Sequence, residues 1–442
     1  MNEFQLSKEQ SDALERLKEF IESDKDVIVL SGYAGTGKTS IMKEYIEFLD
    51  NKYYNYQLCA PTHKAKLVLQ KVTNCDTITL HSLLKLSPKL DILRLDLSDL
   101  QFFSSGEGDI PYKGIVIVDE ASMINDDLYD LLLEKCKQNK SKVLFVGDIG
   151  QIQPVNNGGL SKVFKNENII TLTQIFRQTE VNKLSDLLTT LRSNVVERFE
   201  SSEDGSINTY NNTSQFVYKV LEDIKKTIEL KDLNYSKLIC YTNKRIDAYN
   251  QAIRKLLYND NSFYHIGELL VGCENFSIPS GDFYNSSDYI ITEINEYESY
   301  IPHIGKAFGY GLMLSDGEKE QTVFVIDPHR NDLNYIGLMI ESIRMEAVSL
   351  PKGRKRALKW KEYYEIINSF ATPVNITFDN RIVKSRTFNY GYAISAHKSQ
   401  GSSYNKVYVD MKNLLLDRDP LELRQLQYVA LSRTRTNVNL LV

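Results

Sequence analysis

The run Gly32-Tyr33-Ala34-Gly35-Thr36-Gly37-Lys38-Thr39 places two glycines, a lysine and a hydroxyl at the spacing G-x-x-x-x-G-K-T. Glycines at those places let backbone N–H groups turn inward around an oxyanion, and a helix starting there adds partial positive charge. The chemistry implied is the holding of a nucleoside triphosphate. Gly32, Ala34, Gly35, Thr36 and Gly37 supply the cradle, Lys38 reaches the β- and γ-phosphates, and the Thr39 hydroxyl holds Mg²⁺. Ile115-Val116-Ile117-Val118-Asp119-Glu120 is an apolar run ending in two carboxylates. On a strand beside that of the loop, Asp119 would share in holding Mg²⁺, and Glu120 would orient or deprotonate the attacking water. Val146-Gly147-Asp148-Ile149-Gly150-Gln151 leaves a third apolar run. Gln151 suits the sensing of γ-phosphate and water, because a neutral amide donates and accepts at once. Asp148 is placed to help it.

The elements that must position these groups alternate. Apolar runs at 26–30, 57–60, 115–118 and 143–146 read as buried strands, with helical spacing at 7–21 and 39–49. Strands alternating with helices imply a parallel sheet covered on both faces. A second alternating set has a strand at 237–241, a helix at 244–257, and strands at 391–395, 406–411 and 439–442. Between 260 and 388 the texture changes to short β-like runs and then a helical stretch, as expected of a small β-barrel with a helical excursion. A shorter insertion, 86–112, interrupts the first set and holds Phe102-Phe103.

Composition bounds these readings. At 442 residues the chain is too long for one core, and several domains are expected. No apolar run approaches the roughly 20 residues of a membrane span, and no charged-then-apolar signal opens the chain. Five scattered cysteines without a C-x-x-C pair suit reduced thiols, so a cytoplasmic protein is expected, nucleoid-associated or phage-encoded. A net charge of −5 means that any nucleic-acid contact comes from a local groove.

The blocks arrive in a known order. The chain resembles the superfamily 1 DNA helicases of the B (5′→3′) type, in the RecD-like group and the Dda-like helicases within it. Lys8-Glu9-Gln10 resembles an adenine-reading motif, with Gln10 on the base edge. Ala60-Pro61-Thr62-His63-Lys64-Ala65 and Thr79-Leu80-His81-Ser82 resemble the blocks lining single-stranded DNA on the first domain. Leu172-Thr173-Gln174-Ile175-Phe176-Arg177 resembles the motif that supplies an arginine. Tyr241-Thr242-Asn243 resembles a DNA-touching strand end, and Ile394-Ser395-Ala396-His397-Lys398-Ser399-Gln400-Gly401 the fifth motif in its B-type form. Gln427-Tyr428-Val429-Ala430-Leu431-Ser432-Arg433-Thr434-Arg435 resembles the sixth, whose first arginine is the family's finger.

The resemblance implies two RecA-like P-loop domains with parallel sheets, a short pin insertion in the first and an SH3-like β-barrel with helices in the second. Expected bounds are 1–180 for the first domain, 181–259 with 389–442 for the second, and 260–388 for its insertion. Mg-ATP would sit in the cleft between the two domains. Arg177 and Arg433 suit the neutralising of phosphoryl charge, being permanently cationic and bidentate. Arg435 stands second to Arg433, and spacing alone does not choose between them. For a motor indifferent to sequence, Pro61, Thr62, His63, His81, Ser82, Thr242, Asn243, His397, Lys398 and Gln400 form the DNA track. Phe102 and Phe103 either stack on the last base pair from a pin or pack against the first domain. The basic run 351–361 reads as a solvated helix face or a contact to a DNA strand. The partners expected are single-stranded DNA, duplex junctions and replication or repair proteins, with the chain itself a monomer. The activity expected is 5′→3′ unwinding driven by ATP. The alternative is a P-loop ATPase or translocase that remodels protein–DNA complexes or another substrate without separating strands.

Overall fold

The computed structural model describes residues 6–89, 101–104, 108–154, 160–174, 183–260, 262–351, 353–416 and 419–442; for 87–89 and 101–104 it describes the backbone. Two compact units emerge. One comprises Met1–Ile207, Gln400–Ser402 and Leu415–Arg433, the other Asn208–Ser399, Ser403–Leu414 and Thr434–Val442.

The first unit opens with α1 (Lys8–Glu22), β1 (Val27–Gly32), α2 (Lys38–Asn51), β2 (Tyr56–Ala60), α3 (His63–Thr73), β3 (Thr77–Thr79) and α4 (Leu80–Leu83). A hairpin follows, β4 (Leu86–Lys89) and β5 (Gln101–Ser104). Then come β6 (Ile115–Val118), α5 (Asp126–Gln138), β7 (Lys142–Gly147), β8 (Ile169–Leu172) and α6 (Lys183–Leu191). The sheet order is β3-β2-β6-β7-β1-β8, and its pairings are parallel. Alternate residues of each strand feed opposite faces, as the period of two requires. Ile28, Leu30, Ile115, Ile117, Leu144 and Val146 pack under α1 and α2. Val29, Val116, Val118, Val143 and Phe145 pack under α4 and α5. β7 lies between β1 and β6, so the carboxylate strand is one place removed from the phosphate-loop strand instead of beside it, and the Asp148–Gln151 loop falls between them.

The second unit contains β9 (Ile207–Tyr210), α7 (Thr213–Leu230), β10 (Ser236–Cys240) and α8 (Asn243–Tyr258). Its inserted part runs through β11 (Leu269–Gly272), β12 (Phe276–Ile278), β13 (Gly281–Phe283), β14 (Asp288–Ile301), β15 (Gly305–Ser315) and β16 (Glu320–Ile326). After α9 (Leu333–Ser349) and α10 (Arg354–Ile367) come β17 (Ile376–Phe378), β18 (Arg381–Lys384) and β19 (Phe388–Tyr390). The chain closes with β20 (Ala393–Ser395), β21 (Tyr404–Asp410), α11 (Met411–Leu414), α12 (Pro420–Ser432) and β22 (Thr434–Leu441).

A sheet ordered β20-β10-β21-β22-β9, with β10 parallel to β20 and β21 and β21 parallel to β22, is the second α/β core. The inserted strands pair in the order β16-β15-β14-β11-β19, beside the hairpins β12–β13 and β17–β18. Among the described residues the end strands β16 and β19 do not pair with each other, so the expected barrel is here an open ladder. The helical excursion, α9 and α10, lies where the sequence texture places it.

The partition differs from the expected bounds at 181–207, 400–402 and 415–433. Residues 181–207 and α12 group with the first unit: Arg424 of α12 donates to Arg192 O (2.9 Å) and Gln427 Nε2 to Val196 O (2.7 Å), and Tyr428 of the same helix bonds to Ala34 and Asp148.

Candidate active site

β1 delivers the chain into the phosphate loop, where Gly35 and Gly37 both have φ +83°, a left-handed conformation that favours glycine. At Gly32 a Cβ would stand 2.6 Å from Thr36 Oγ1 and 3.0 Å from Leu172 Cβ, so only glycine lets the loop close. Lys38 is the first residue of α2, and its ammonium donates to Gly32 O (2.6 Å) and Tyr33 O (3.0 Å). The cation is thus held at the loop mouth by two carbonyls, a weaker partner than a phosphate oxygen would be. Thr39, one residue on, is exposed.

Gln10 lies against the phosphate loop. It is 1% exposed; Oε1 accepts from Ser7 N (2.9 Å), closing the capping box of α1, and Nε2 donates to Thr36 O (3.1 Å). The amide expected at a base edge also links the phosphate loop to α1. Its neighbour Glu9 has a role the sequence did not suggest. Its carboxylate accepts from Thr173 N (2.9 Å), Thr173 Oγ1 (2.8 Å) and Gln174 N (3.0 Å), fixing the start of the segment that leads to Arg177. Arg177 itself lies outside the described residues.

At the end of β6, Asp119 N donates to Cys59 O (3.0 Å) and Glu120 takes φ +50°, ψ +40°, a strained conformation for a carboxylate residue. Desolvation, and then the adjacent Glu120, push the Asp119 carboxyl well above its ordinary pKa, against the pull of a backbone N–H and Lys38. After β7, Asp148 is fully buried and Gln151 is 5% exposed, with no partner for its Oε1 among the described residues. An unsatisfied buried acceptor costs about 1–3 kcal/mol, and a donor such as a lytic water would relieve it. Gln400, expected in the DNA track, lies near the same loop. It is buried, and its Nε2 donates to Ile152 O (3.2 Å), next to the Gln151 loop.

Two further groups come from α12. Arg433, 5% exposed, donates to Val429 O (3.1 Å), Ser402 O (3.4 Å) and Ser432 Oγ (2.9 Å). It is a buried guanidinium held by neutral acceptors, whereas Arg435 is exposed on β22. Tyr428 sits against the phosphate loop, and the Arg192 guanidinium lies 3.8 Å from the Tyr33 ring centroid. Tyr428 belongs to the block that resembles the sixth motif but carries no expected role there, and an arginine after a helix, as at Arg192, is ordinary.

The expected DNA-track residues occupy strand ends and first turns. In the first unit Pro61 follows β2, Thr62 caps α3 by accepting from Ala65 N (3.2 Å), and His63 is the first helical residue. His81 and Ser82 lie in α4; burial lowers the pKa of the His81 imidazole, which favours its neutral form. In the second unit Thr242 caps α8, and Asn413 holds that turn by accepting from Tyr241 N (2.8 Å) and Thr242 N (3.0 Å). Asn243 is exposed at the first turn, and His397 and Lys398 form a short turn after β20. Phe102 and Phe103 lie in β5, opposite Pro88 and Ser87 of β4. They are therefore in the stem of the hairpin, and its 90–100 connection is outside the described residues. Part of the basic run is paired within its own helices: Lys359 with Glu346 and Glu362, and Lys361 with Glu365. Among the described residues no helix is long and apolar enough to cross a membrane.

Comparison with known proteins supplies the lineage. Residues 5–212 match the AAA domain family, and residues 390–441 match the UvrD-like helicase C-terminal domain family. The ATP-dependent DNA helicase Dda of Enterobacteria phage T4 is 27% identical over 275 residues, an alignment spanning 60% of each chain. An uncharacterised protein of Acanthamoeba polyphaga mimivirus is 24% identical, with 97% of this chain and 98% of that one aligned. Among solved structures, Bacteroides Pif1 helicase in complex with ADP-AlF3 and single-stranded DNA superposes with a TM-score of 0.53 at 19% identity, covering 99% of this chain and 92% of that one. With an AAA domain match at its start, a UvrD-like helicase C-terminal match at its end and a fold like that of Pif1, the chain is similar to the superfamily 1B helicases.

Proposed function

We propose that this chain is an ATP-dependent DNA helicase that moves 5′→3′ along single-stranded DNA and separates duplex ahead of it. The observation that supports this most is a convergence at the carboxyl ends of neighbouring parallel strands β6, β7 and β1. There the first unit gathers a carboxylate pair, a glutamine with an unpartnered buried Oε1, and an anion-binding loop. Ligands of open parallel sheets bind at such strand ends.

In this reading the loop backbone and Lys38 hold the triphosphate, while Glu120 takes the proton of the attacking water. Gln151 fixes that water through its unused Oε1, and Arg433, with Arg177, counters charge on the transferring phosphoryl group. The residues suit Mg²⁺. Asp119 and Glu120 crowd two carboxylates at a desolvated strand end, and a divalent cation meets that excess charge. Asp119 and Thr39 would hold the ion, which when bound neutralises phosphoryl charge.

The track of hydroxyls, amides and imidazoles at strand ends suits backbone contact without sequence reading. Phe102 and Phe103, in the stem of the β4–β5 hairpin, would support a strand-separating pin. The test is unwinding of two partial duplexes, one with a 5′ single-stranded tail and one with a 3′ tail. Preferential unwinding of the 5′-tailed substrate is expected. Preference for the 3′ tail would overturn the polarity, and ATP-driven movement on single strands without separation of either duplex would leave a translocase.

A further inference from the structure

Tyr428 lies in α12 and is 1% exposed. Its hydroxyl accepts from Ala34 N, in the phosphate loop, at 3.0 Å and donates to Asp148 Oδ2 at 2.9 Å. The other oxygen of Asp148 accepts from Gly150 N (2.9 Å), and Asp148 O from Gln151 N (3.1 Å). One phenol therefore ties the phosphate loop to the loop that presents Gln151, and does so from the helix that ends at Arg433.

The surroundings leave little slack. The Tyr428 ring meets Tyr33 edge-on, with centroids 6.2 Å apart, and a Cβ on Gly150 would come within 3.2 Å of Tyr428 Cε1. Asp148 is fully buried and no cation pairs with it among the described residues, so N–H and O–H donors satisfy its charge. Burial and the nearby Asp148 hold the phenol protonated, which keeps it a donor to the carboxylate. A helix needing only an apolar face here would place phenylalanine, because a buried hydroxyl is costly unless it is bonded. The hydroxyl is used on both sides.

We propose that Tyr428 is a positioning residue of the ATP-hydrolysing centre, its hydroxyl holding Gln151 and the Arg433 helix in register with the phosphate loop through Asp148 and Ala34. The inference rests on the ATPase reading above. Its loss would slow the chemical step more than it weakens binding, since in-line attack needs its groups aligned within about 0.5 Å. Tyr428→Phe keeps the ring and removes the hydroxyl, leaving Ala34 N–H and Asp148 Oδ2 without it.

The experiment measures steady-state ATP turnover by the full chain with saturating single-stranded DNA, together with thermal melting. For Tyr428→Phe the expected result is a kcat lower by about 10–100-fold, corresponding to loss of one or two buried hydrogen bonds. KM for ATP should stay within about threefold, and melting close to that of the unsubstituted chain. Asp148→Ala keeps the phenol and should give the same split, so the test does not depend on one variant folding. The double variant should be no slower than the slower single one, because both break a single link. Turnover of Tyr428→Phe within twofold of the unsubstituted chain would overturn the proposal. So would kcat and KM deteriorating together with a lowered melting point, or additive losses in the double variant. Absence of turnover in the unsubstituted chain would instead overturn the ATPase reading, and the proposal with it.

Discussion

Gly37→Ala probes the clamp between α1 and the phosphate loop. Gly37 has φ +83°, where an L-residue costs about 1 kcal/mol or more. The new Cβ would fall 2.1 Å from Gln10 Nε2, so that amide must leave. Its departure breaks the 3.1 Å bond to Thr36 O and strands a buried carbonyl, a further cost of about 1–3 kcal/mol. Together these give ~2–4 kcal/mol against the binding conformation of the loop, or a nucleotide affinity weaker by roughly 30- to 1000-fold. Titration with a fluorescent ATP analogue, with melting in parallel, measures it. In a Gln10→Ala background the clash is gone, and the same substitution should cost only the backbone share of about 1 kcal/mol. Equal costs in the two backgrounds would refute the clamp. Gln10→Ala should also weaken ATP and other nucleoside triphosphates alike. A selective loss of adenine preference would mean that the amide reads the base after all.

Lys38→Ala should abolish hydrolysis while circular dichroism and melting stay native, because no backbone donor replaces its charge at the loop mouth; near-normal turnover would remove the phosphate-loop assignment. Arg433→Ala should slow DNA-stimulated hydrolysis by roughly 10²–10⁴-fold, scaled down from the arginine-finger effect. ATP binding should change less, and exposed Arg435→Ala should have little effect; the reverse ranking would move the finger. Lys384, buried in the second unit beside Glu274, is pushed down to about 8 by desolvation, with the carboxylate opposing. Between pH 8 and 10.5 the folded chain therefore binds fewer protons than the unfolded one, and stability of this unit should rise with pH by up to ~3 kcal/mol. Denaturant titrations across that window, compared with Lys384→Met, read the effect, and parallel profiles for the two proteins would contradict it.

What was legible in the sequence was local. The phosphate loop, the Asp119-Glu120 strand end and the Asp148–Gln151 loop are contiguous runs whose chemistry and flanking periodicity agree, and each is found at the end of a parallel strand. What was hidden was pairing at a distance. Gln10 and Gln400 carry amides suited to ligand contact, and each also donates to a backbone carbonyl elsewhere in the chain. Residue type alone cannot show whether a side chain is already bonded. The place of β7 between β1 and β6 is likewise a matter of strand order, which alternating strands and helices do not specify. Tyr428 escaped notice for the same reason. Its partners are a loop amide near the start of the chain and a carboxylate in its first half. The grouping of α12 with the first unit depends on packing against residues 192–196, against the simple expectation from chain order.

The most direct test of the central claim is ATP turnover by the purified chain with Mg²⁺, in the presence and absence of single-stranded DNA. Strong stimulation by an oligonucleotide of any sequence, abolished in Lys38→Ala, is the expected result. Turnover indifferent to DNA would contradict the account, leaving an ATPase that acts on some other substrate.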